Sequence, residues 1–235
     1  MRFAEQSKLK AVTFSYDDGT VQDIQLIELL NKYGLKSTFN LNSELFGQRG
    51  ILDREGKRIS HYKVHPEDVK YIYDGHEVAA HTLTHPSLLA VDEAEVIRQV
   101  EQDRLNLSEL VGYEVVGMAY PGGGVNHTEE IAEIIRSNTG IRYARTNVCT
   151  DSFDVQNDLY RFQPNVPNMM DYDRLMKMGE EFVALETTVP QIFYIYGHSF
   201  EMEYASDNWS KLEEFFKLIS NRDDIFYGTN AQVLL

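Results

Sequence analysis

The sequence predicts an α/β fold: about seven parallel strands closed into a (β/α) barrel. Two observations predict it. Apolar, β-branched runs alternate with amphipathic helical stretches along the chain, and such alternation implies parallel strands with helices outside. Asp17-Asp18, His81 with His85, Tyr120-Pro121-Gly122 and His198 each follow the end of an expected strand. The alternation alone also fits an open doubly wound sheet. Chemistry gathered on the C-terminal rim favours the barrel, because parallel barrels build their sites there.

The elements follow in order. Residues 11–16 are β-branched and aromatic, which predicts the first strand. Ile24, Leu26, Ile27, Leu29 and Leu30 keep helical spacing. Gly34 stops that helix, and 36–41 reads as the second strand. Residues 43–65 are polar and glycine-dotted. Asp53-Arg54-Glu55-Gly56 looks like a hairpin turn, so this segment is expected to be an insertion or lid-like excursion. Pro66 opens a short helix to Tyr73. Residues 77–80 form a third strand, and Asp92 with Glu95 has a capping-box shape before a helix through Leu107. Residues 115–120 form a fourth strand. Asn126 and Glu129 are expected to cap the next helix, and 141–144 follows as a strand. Residues 147–170 are irregular and 171–185 helical. A strong strand at 192–196, a helix capped by Asp207 and a closing strand at 225–227 complete the chain.

Composition bounds the function. The chain has 235 residues, 43% hydrophobic and 25% charged. That suits one domain over 1–235 with a sizeable core. The net charge of −15 argues against nucleic acid or an anionic membrane as partner. No stretch reaches the roughly 18 apolar residues of a membrane span. Cys149 is the only cysteine, which excludes an intramolecular disulfide and a cysteine-based zinc site. The first residues show no signal peptide. Read literally, the protein is cytoplasmic; an export signal replaced by a start Met would look the same.

Asp17 and Asp18 adjoin each other, and His81 and His85 are four residues apart. One carboxylate with two imidazoles is a zinc set, also tolerable for cobalt or iron. Three protein ligands leave a position for water. The remaining carboxylate can take the proton of that water.

These residues resemble a family. Thr13-Phe14-Ser15-Tyr16-Asp17-Asp18-Gly19 resembles the T-F-x-x-D-D-G motif of polysaccharide deacetylases, the NodB-homology or carbohydrate esterase family 4 enzymes. Gly75-His76-Glu77 through His81-Thr82-Leu83-Thr84-His85 resembles their second motif. Ala119-Tyr120-Pro121-Gly122-Gly123 and Ile195-Tyr196-Gly197-His198 resemble the third and last. The resemblance runs from about Lys10 to Tyr227. It implies a distorted, NodB-like (β/α) barrel with fewer than eight strands. It implies Asp17 as general base, Asp18, His81 and His85 as metal ligands, and His198 as general acid. Tyr120, Pro121 and Gly122 would line the oxyanion and substrate site. The implied cofactor is a divalent metal, zinc foremost, and the implied substrate an N-acetylated glycan or oligosaccharide.

The third motif usually begins with an Arg that orients the base; this chain has Ala119 there. Arg145, at the end of the fifth expected strand, is the candidate replacement. The fourth motif, D-x-x-D-W, is matched only by Asp154 and Asp158, followed by Leu159. Trp209, Tyr120, Tyr160 and Phe200 are aromatic candidates for stacking on sugars. Glu201 and Glu203 bind a sugar hydroxyl or cover the rim. His61, His65, His76 and His127 read as structural or surface residues. Two further readings compete: a related hydrolase of a cyclic amide or small N-acetyl compound, and a catalytically silent carbohydrate-binding protein. Intact Asp17, Asp18, His81, His85 and His198 speak against the silent one.

Overall fold

Lys10–Asp17 forms β1, all eight residues of which are buried. A strand covered on both faces is what a parallel sheet between helices requires. The computed structural model describes residues 8–235. After β1 come α1 (Asp23–Lys32), β2 (Ser37–Leu41), the hairpin strands β3 (Arg49–Arg54) and β4 (Lys57–Tyr62), and α2 (Val69–Ile72). Next are β5 (Glu77–Ala80), α3 (Glu93–Ile97), a π-helical segment (Arg98–Gln102) and α4 (Asp103–Val111). Then follow β6 (Gly117–Ala119), α5 (Glu129–Asn138), β7 (Tyr143–Arg145), β8 (Val166–Pro167) and α6 (Tyr172–Ala184). β9 (Gln191–Gly197), α7 (Asn208–Ile219), β10 (Ile225–Tyr227) and α8 (Asn230–Leu234) end the chain.

Seven parallel strands run in the order β7-β6-β5-β2-β1-β9-β8, and β10 pairs with the start of β1. β10 takes Lys10 to Val12, and β2 takes the same edge from Phe14 to Asp17. The sheet curls so that its ends approach. Residues 162–167 span the remaining gap: Phe162 exchanges backbone bonds of 2.9–3.0 Å with Ala144 and Thr146 beside β7, and Val166 then pairs with β9. This is the distorted (β/α) barrel that the alternation and the rim chemistry predicted. The hairpin at 49–62 lies within the expected excursion, with its turn at Glu55-Gly56.

Some boundaries differ from expectation. The fourth strand covers only Gly117–Ala119, and the fifth begins at Tyr143. α5 is capped by Thr128, whose Oγ1 accepts from the Ile131 N–H at 3.2 Å, and not by Asn126 or Glu129. Asn126 instead turns inward and donates to the carbonyls of Tyr120 and Gly122. Asp207 has helical backbone angles and pairs with Lys211 at 2.9 Å, so it makes no cap hydrogen bond. Among the described residues, no helix is long and apolar enough to cross a membrane.

The barrel floor is a buried polar network. Glu77 accepts from the Thr38 hydroxyl at 2.7 Å, the Tyr143 hydroxyl at 2.9 Å and the Ala231 N–H at 2.9 Å. The last is a free N–H in the first turn of α8, where a carboxylate is favoured. Asn230 beside it donates to Thr13 and to the Phe14 carbonyl, and accepts from Tyr194. One face of β1 is thereby tied to the last helix. Glu77→Ala leaves three donors, two of them buried, without their acceptor and should cost about 3 kcal/mol in urea unfolding. A loss below about 1 kcal/mol, the usual net worth of one hydrogen bond, would contradict this view of the floor.

Candidate active site

Side chains alternate along a strand, so Asp17 and Asp18 would ordinarily point apart. The backbone resolves this at the end of β1. Asp18 adopts φ +83°, a conformation uncommon outside glycine, and Gly19 follows at +60°. Among the described residues, five non-glycine residues have positive φ, and Asp18, Thr82 and His85 are three of them. Each costs on the order of 1 kcal/mol, and such backbone persists where the surroundings enforce it. Here it brings both carboxylates and His85 to one cavity of about 430 Å³.

Asp17 is buried and held from two sides. Arg145 Nη2 reaches its two oxygens at 2.6 and 2.5 Å. Asn40, its register partner on β2, donates to Oδ1 at 2.8 Å. Burial would push the Asp17 carboxyl up, but Arg145, with His81 and His198, holds it below the usual carboxylate range. Arg145 is itself 1% exposed. It is further fixed by Ser15, the Thr146 carbonyl and the Tyr196 ring, 4.8 Å away. Ala119 and Arg145 are register partners on β6 and β7. The guanidinium therefore enters from the neighbouring strand at the level where Ala119 leaves space.

Asp18, His81 and His85 form a second group. One donor atom from each lies within 4.8 Å of the others. His81 Nδ1 is 2.8 Å from the Ala119 carbonyl, so it carries the proton and Nε2 keeps its lone pair. Burial pushes the His81 imidazole down to about 4, which favours the neutral ligand form. One carboxylate and two imidazoles in this arrangement fit a tetrahedral cation with an open position.

The loop that carries these histidines is pinned throughout. Asn42 donates to the carbonyls of His81 and Thr82, and Asp103 accepts from the His81 N–H. Leu83 N–H bonds to the Gln99 carbonyl, while the Gln99 side chain binds Thr84. Gln99 sits in the π-helical segment. Such segments recur at functional sites because they redirect backbone groups.

The excursion also holds Asp18. His61 Nε2 lies 3.2 Å from Asp18 Oδ2, and Lys63 Nζ is 3.1 Å from Oδ1 and 2.6 Å from the backbone carbonyl. Burial would raise the Asp18 carboxyl; His61 and Lys63 hold it well below the ordinary range. The sequence expectation for His61 was a structural or surface residue, and the structure corrects it. Ile59, His61 and Lys63 keep a period of two at one apolar edge, which is the sequence feature that marks them.

His198, at the end of β9, faces Asp18 Oδ2 across 4.0 Å. Its Nδ1 lies 3.0 Å from Glu201 Oε1, and Glu201 is 4% exposed. Burial opposes charge on His198, but Glu201 outweighs it, with Asp18 and Asp17, and the imidazole rises to about 9. A cation bound at the neighbouring ligands would draw that value down. Asp154 is occupied by Gln191 and Ser152, and Asp158 by Arg161 and the Tyr160 N–H; neither contacts His198. Phe200 packs between the rings of His198 and His61, with centroids at 4.8 and 4.9 Å.

Tyr120 and Gly122 line the same cavity, whereas Pro121 is buried behind it. Tyr120 N–H is spent on the Arg145 carbonyl and its hydroxyl on Tyr160. Gly122, at φ +87°, has its carbonyl fixed by Asn126 and Asn147. Trp209 lies away from this cavity, in a groove with Leu29 and Lys32.

The chain is thus a parallel (β/α) barrel protein with an Asp-His-His cluster on its rim, a carboxylate on one side and an imidazole on the other. Comparison with known sequences gives the family. The polysaccharide deacetylase model matches residues 4–144, and the chain belongs to that family. It is 24% identical over 151 residues to the peptidoglycan-N-acetylglucosamine deacetylase PgdA of Listeria monocytogenes, covering 63% of this chain and 28% of that one. It is 26% identical over 145 residues to a chitin deacetylase of Pestalotiopsis sp, covering 61% and 43%. The chain thus spans less than half the length of these relatives. The fold resembles the Xyl-CE4 domain of a multidomain xylanase from the hindgut metagenome of Trinervitermes trinervoides. That match has a TM-score of 0.57 and 16% identity, over 96% of this chain and 89% of that one.

The buried Arg145–Asp17 pair gives a stability prediction. Arg145→Met strands a desolvated carboxylate and should cost about 3 kcal/mol, and adding Asp17→Asn should recover part of it. Equal losses in the single and double variants would mean the two residues are not coupled.

Proposed function

We infer that this protein is a metal-dependent hydrolase that removes N-acetyl groups from amino sugars in a polysaccharide or oligosaccharide. One observation carries the reading. A carboxylate fixed by Arg145 and an imidazole fixed by Glu201 border one cavity, with the Asp18-His81-His85 donors in the same cavity. An amide needs both a base for water and an acid for the departing nitrogen, and the cavity supplies both. The reading treats residues 1–235 as one catalytic domain with 43–65 as its excursion.

Asp18, His81 and His85 would hold the divalent cation, zinc foremost. Bound there, the cation would polarise the acetyl carbonyl and acidify a water. Asp17 accepts the water proton as the oxygen attacks; its two contacts with Arg145 Nη2 keep it ionised and fix its direction. The Gly122 N–H faces the developing oxyanion, in a turn already fixed by Asn126 and Asn147. His198 donates its proton to the amide nitrogen, which cannot leave as an anion. Glu201 is a positioning residue: its hydrogen bond sets Nδ1 as the proton-bearing nitrogen towards the carboxylate and turns Nε2 to the site. Arg145 plays the same part for Asp17.

Two experiments test the reading. Asp17→Asn should abolish acetate release from N-acetylated chitooligosaccharides while zinc content by atomic absorption stays at wild type. His85→Ala should lose the metal as well. Acetate release that survives Asp17→Asn would remove Asp17 as base. Separately, Glu201→Gln should lower kcat about 100-fold with KM nearly unchanged, and Glu201→Asp should recover part of it. Asp154→Asn and Asp158→Asn should leave kcat at wild type. A fall in kcat for either Asp variant, with none for Glu201→Gln, would assign the orienting role elsewhere.

A further inference from the structure

A second cavity, of about 580 Å³, opens from the same mouth. It shares Asp18, His85, Gly123, Met170 and His198 with the reaction cavity and runs out beneath the hairpin to Arg49, Arg54 and Tyr204. The hairpin register explains which side chains reach it. Gly50 pairs with His61, Leu52 with Ile59 and Arg54 with Lys57. Paired residues share a face, and residues two apart on a strand do so too. His61 touches Asp18, so this face is turned to the site. Arg54 lies at its outer end, four residues along from the His61 row, which is about 13 Å. Arg49 pairs with Tyr62, out of phase with that face, and borders the cavity from the first position of β3, at the near end.

Charge is distributed unevenly in this cavity. Residues 49–63 carry five Lys or Arg against two carboxylates, in a chain of net charge −15. Most charges lining the cleft are already answered. Lys63 pairs with Asp18, and His198 with Glu201. Lys57 donates to the Tyr204 carbonyl at 2.9 Å. Arg49 and Arg54 are not answered: among the described residues, neither has a carboxylate within ion-pair distance. Each guanidinium instead lies over an aromatic ring, Arg49 on Tyr62 at 5.7 Å and Arg54 on Tyr204 at 5.8 Å. Arg54 also donates to the Tyr204 hydroxyl, and the remaining N–H groups of the two forks are left for a planar or tetrahedral anion. A cation without a carboxylate partner at a cleft end raises the local concentration of anions there.

We propose that this cleft is a substrate subsite for an anionic group, a carboxylate or a phosphate, on the glycan whose acetyl group is removed. The proposal rests on the deacetylase reading above. Arg49 receives an anion close to the reacting sugar, and Arg54 one farther along the chain. The substrate class is therefore an acidic N-acetylated oligosaccharide and not a neutral one.

Three tetrasaccharides test this with the zinc-loaded protein: neutral chitotetraose, alternating N-acetylglucosamine and N-acetylmuramic acid, and chitotetraose bearing a 6-phosphate. Wild type should show a kcat/KM at least about tenfold higher on one or both acidic substrates, a preference that falls as salt is raised. Which of the two is preferred separates carboxylate from phosphate. Arg49→Ala with Arg54→Ala should bring the acidic substrate down to the neutral value through KM and leave chitotetraose unchanged. Equal rates on all three in wild type, or equal losses on all three in the variant, overturn the subsite. Binding of the same sugars to Asp17→Asn by calorimetry separates this from the activity itself. Charge-selective binding lost with the two arginines supports the subsite even if nothing is hydrolysed, and charge-blind binding overturns it.

Discussion

The buried pair of Asp17 and Arg145 is the constraint around which the site is organised. Both residues are almost wholly out of water, and an isolated charge there would be neutralised or would unfold the strand end. Two contacts from Arg145 Nη2, with Asn40 as a further donor, compensate the carboxylate and fix its direction. The guanidinium comes from β7, four places from β1 across β6, β5 and β2. The pair therefore requires the sheet to curl. A flat sheet with this strand order would leave Arg145 too far away to reach Asp17.

With Asp17 committed to Arg145, Asp18 is free for a different task. The left-handed backbone at Asp18 separates the two jobs within adjacent residues, and the excursion secures the result. His61 and Lys63 come from the hairpin region, Asn42 from the end of β2, and Gln99 and Asp103 from the interrupted helix. Each holds either a donor side chain or the backbone of the loop that bears one. The geometry of the Asp18-His81-His85 cluster is thus set by groups outside it, the arrangement that a metal site would need. The hairpin region then does two things at once: His61 and Lys63 fix Asp18, and Arg49 and Arg54 border the adjoining cavity.

Much of this was legible in the sequence, for a physical reason. Parallel strands buried on both faces leave continuous apolar runs, and the residues just after them are forced to the rim. That made Asp17, Asp18, His81, His85, Gly122 and His198 readable as neighbours before any coordinates, and the same logic placed Arg145. Other residues act through tertiary hydrogen bonds that no spacing encodes. Asn40 is polar in a buried strand, which is a clue, but its partner lies on β1. Glu201 is three residues from His198, yet whether it points to the ring or to solvent depends on the 3-10 turn at Ser199–Glu203. His61 and Lys63 sit in a polar stretch where charge ordinarily means exposure. The π-helical segment, Arg98–Gln102, contains no Gly or Pro to mark it.

The central claim is the division of labour between two adjacent aspartates. Anomalous diffraction at the zinc edge, from crystals of the zinc-loaded protein, tests it most directly. The account predicts one peak bounded by the Asp18 carboxylate, His81 and His85, with the Asp17 carboxylate still on Arg145 and outside the coordination sphere. A peak ligated by Asp17, or no peak among these residues at saturating zinc, would contradict it.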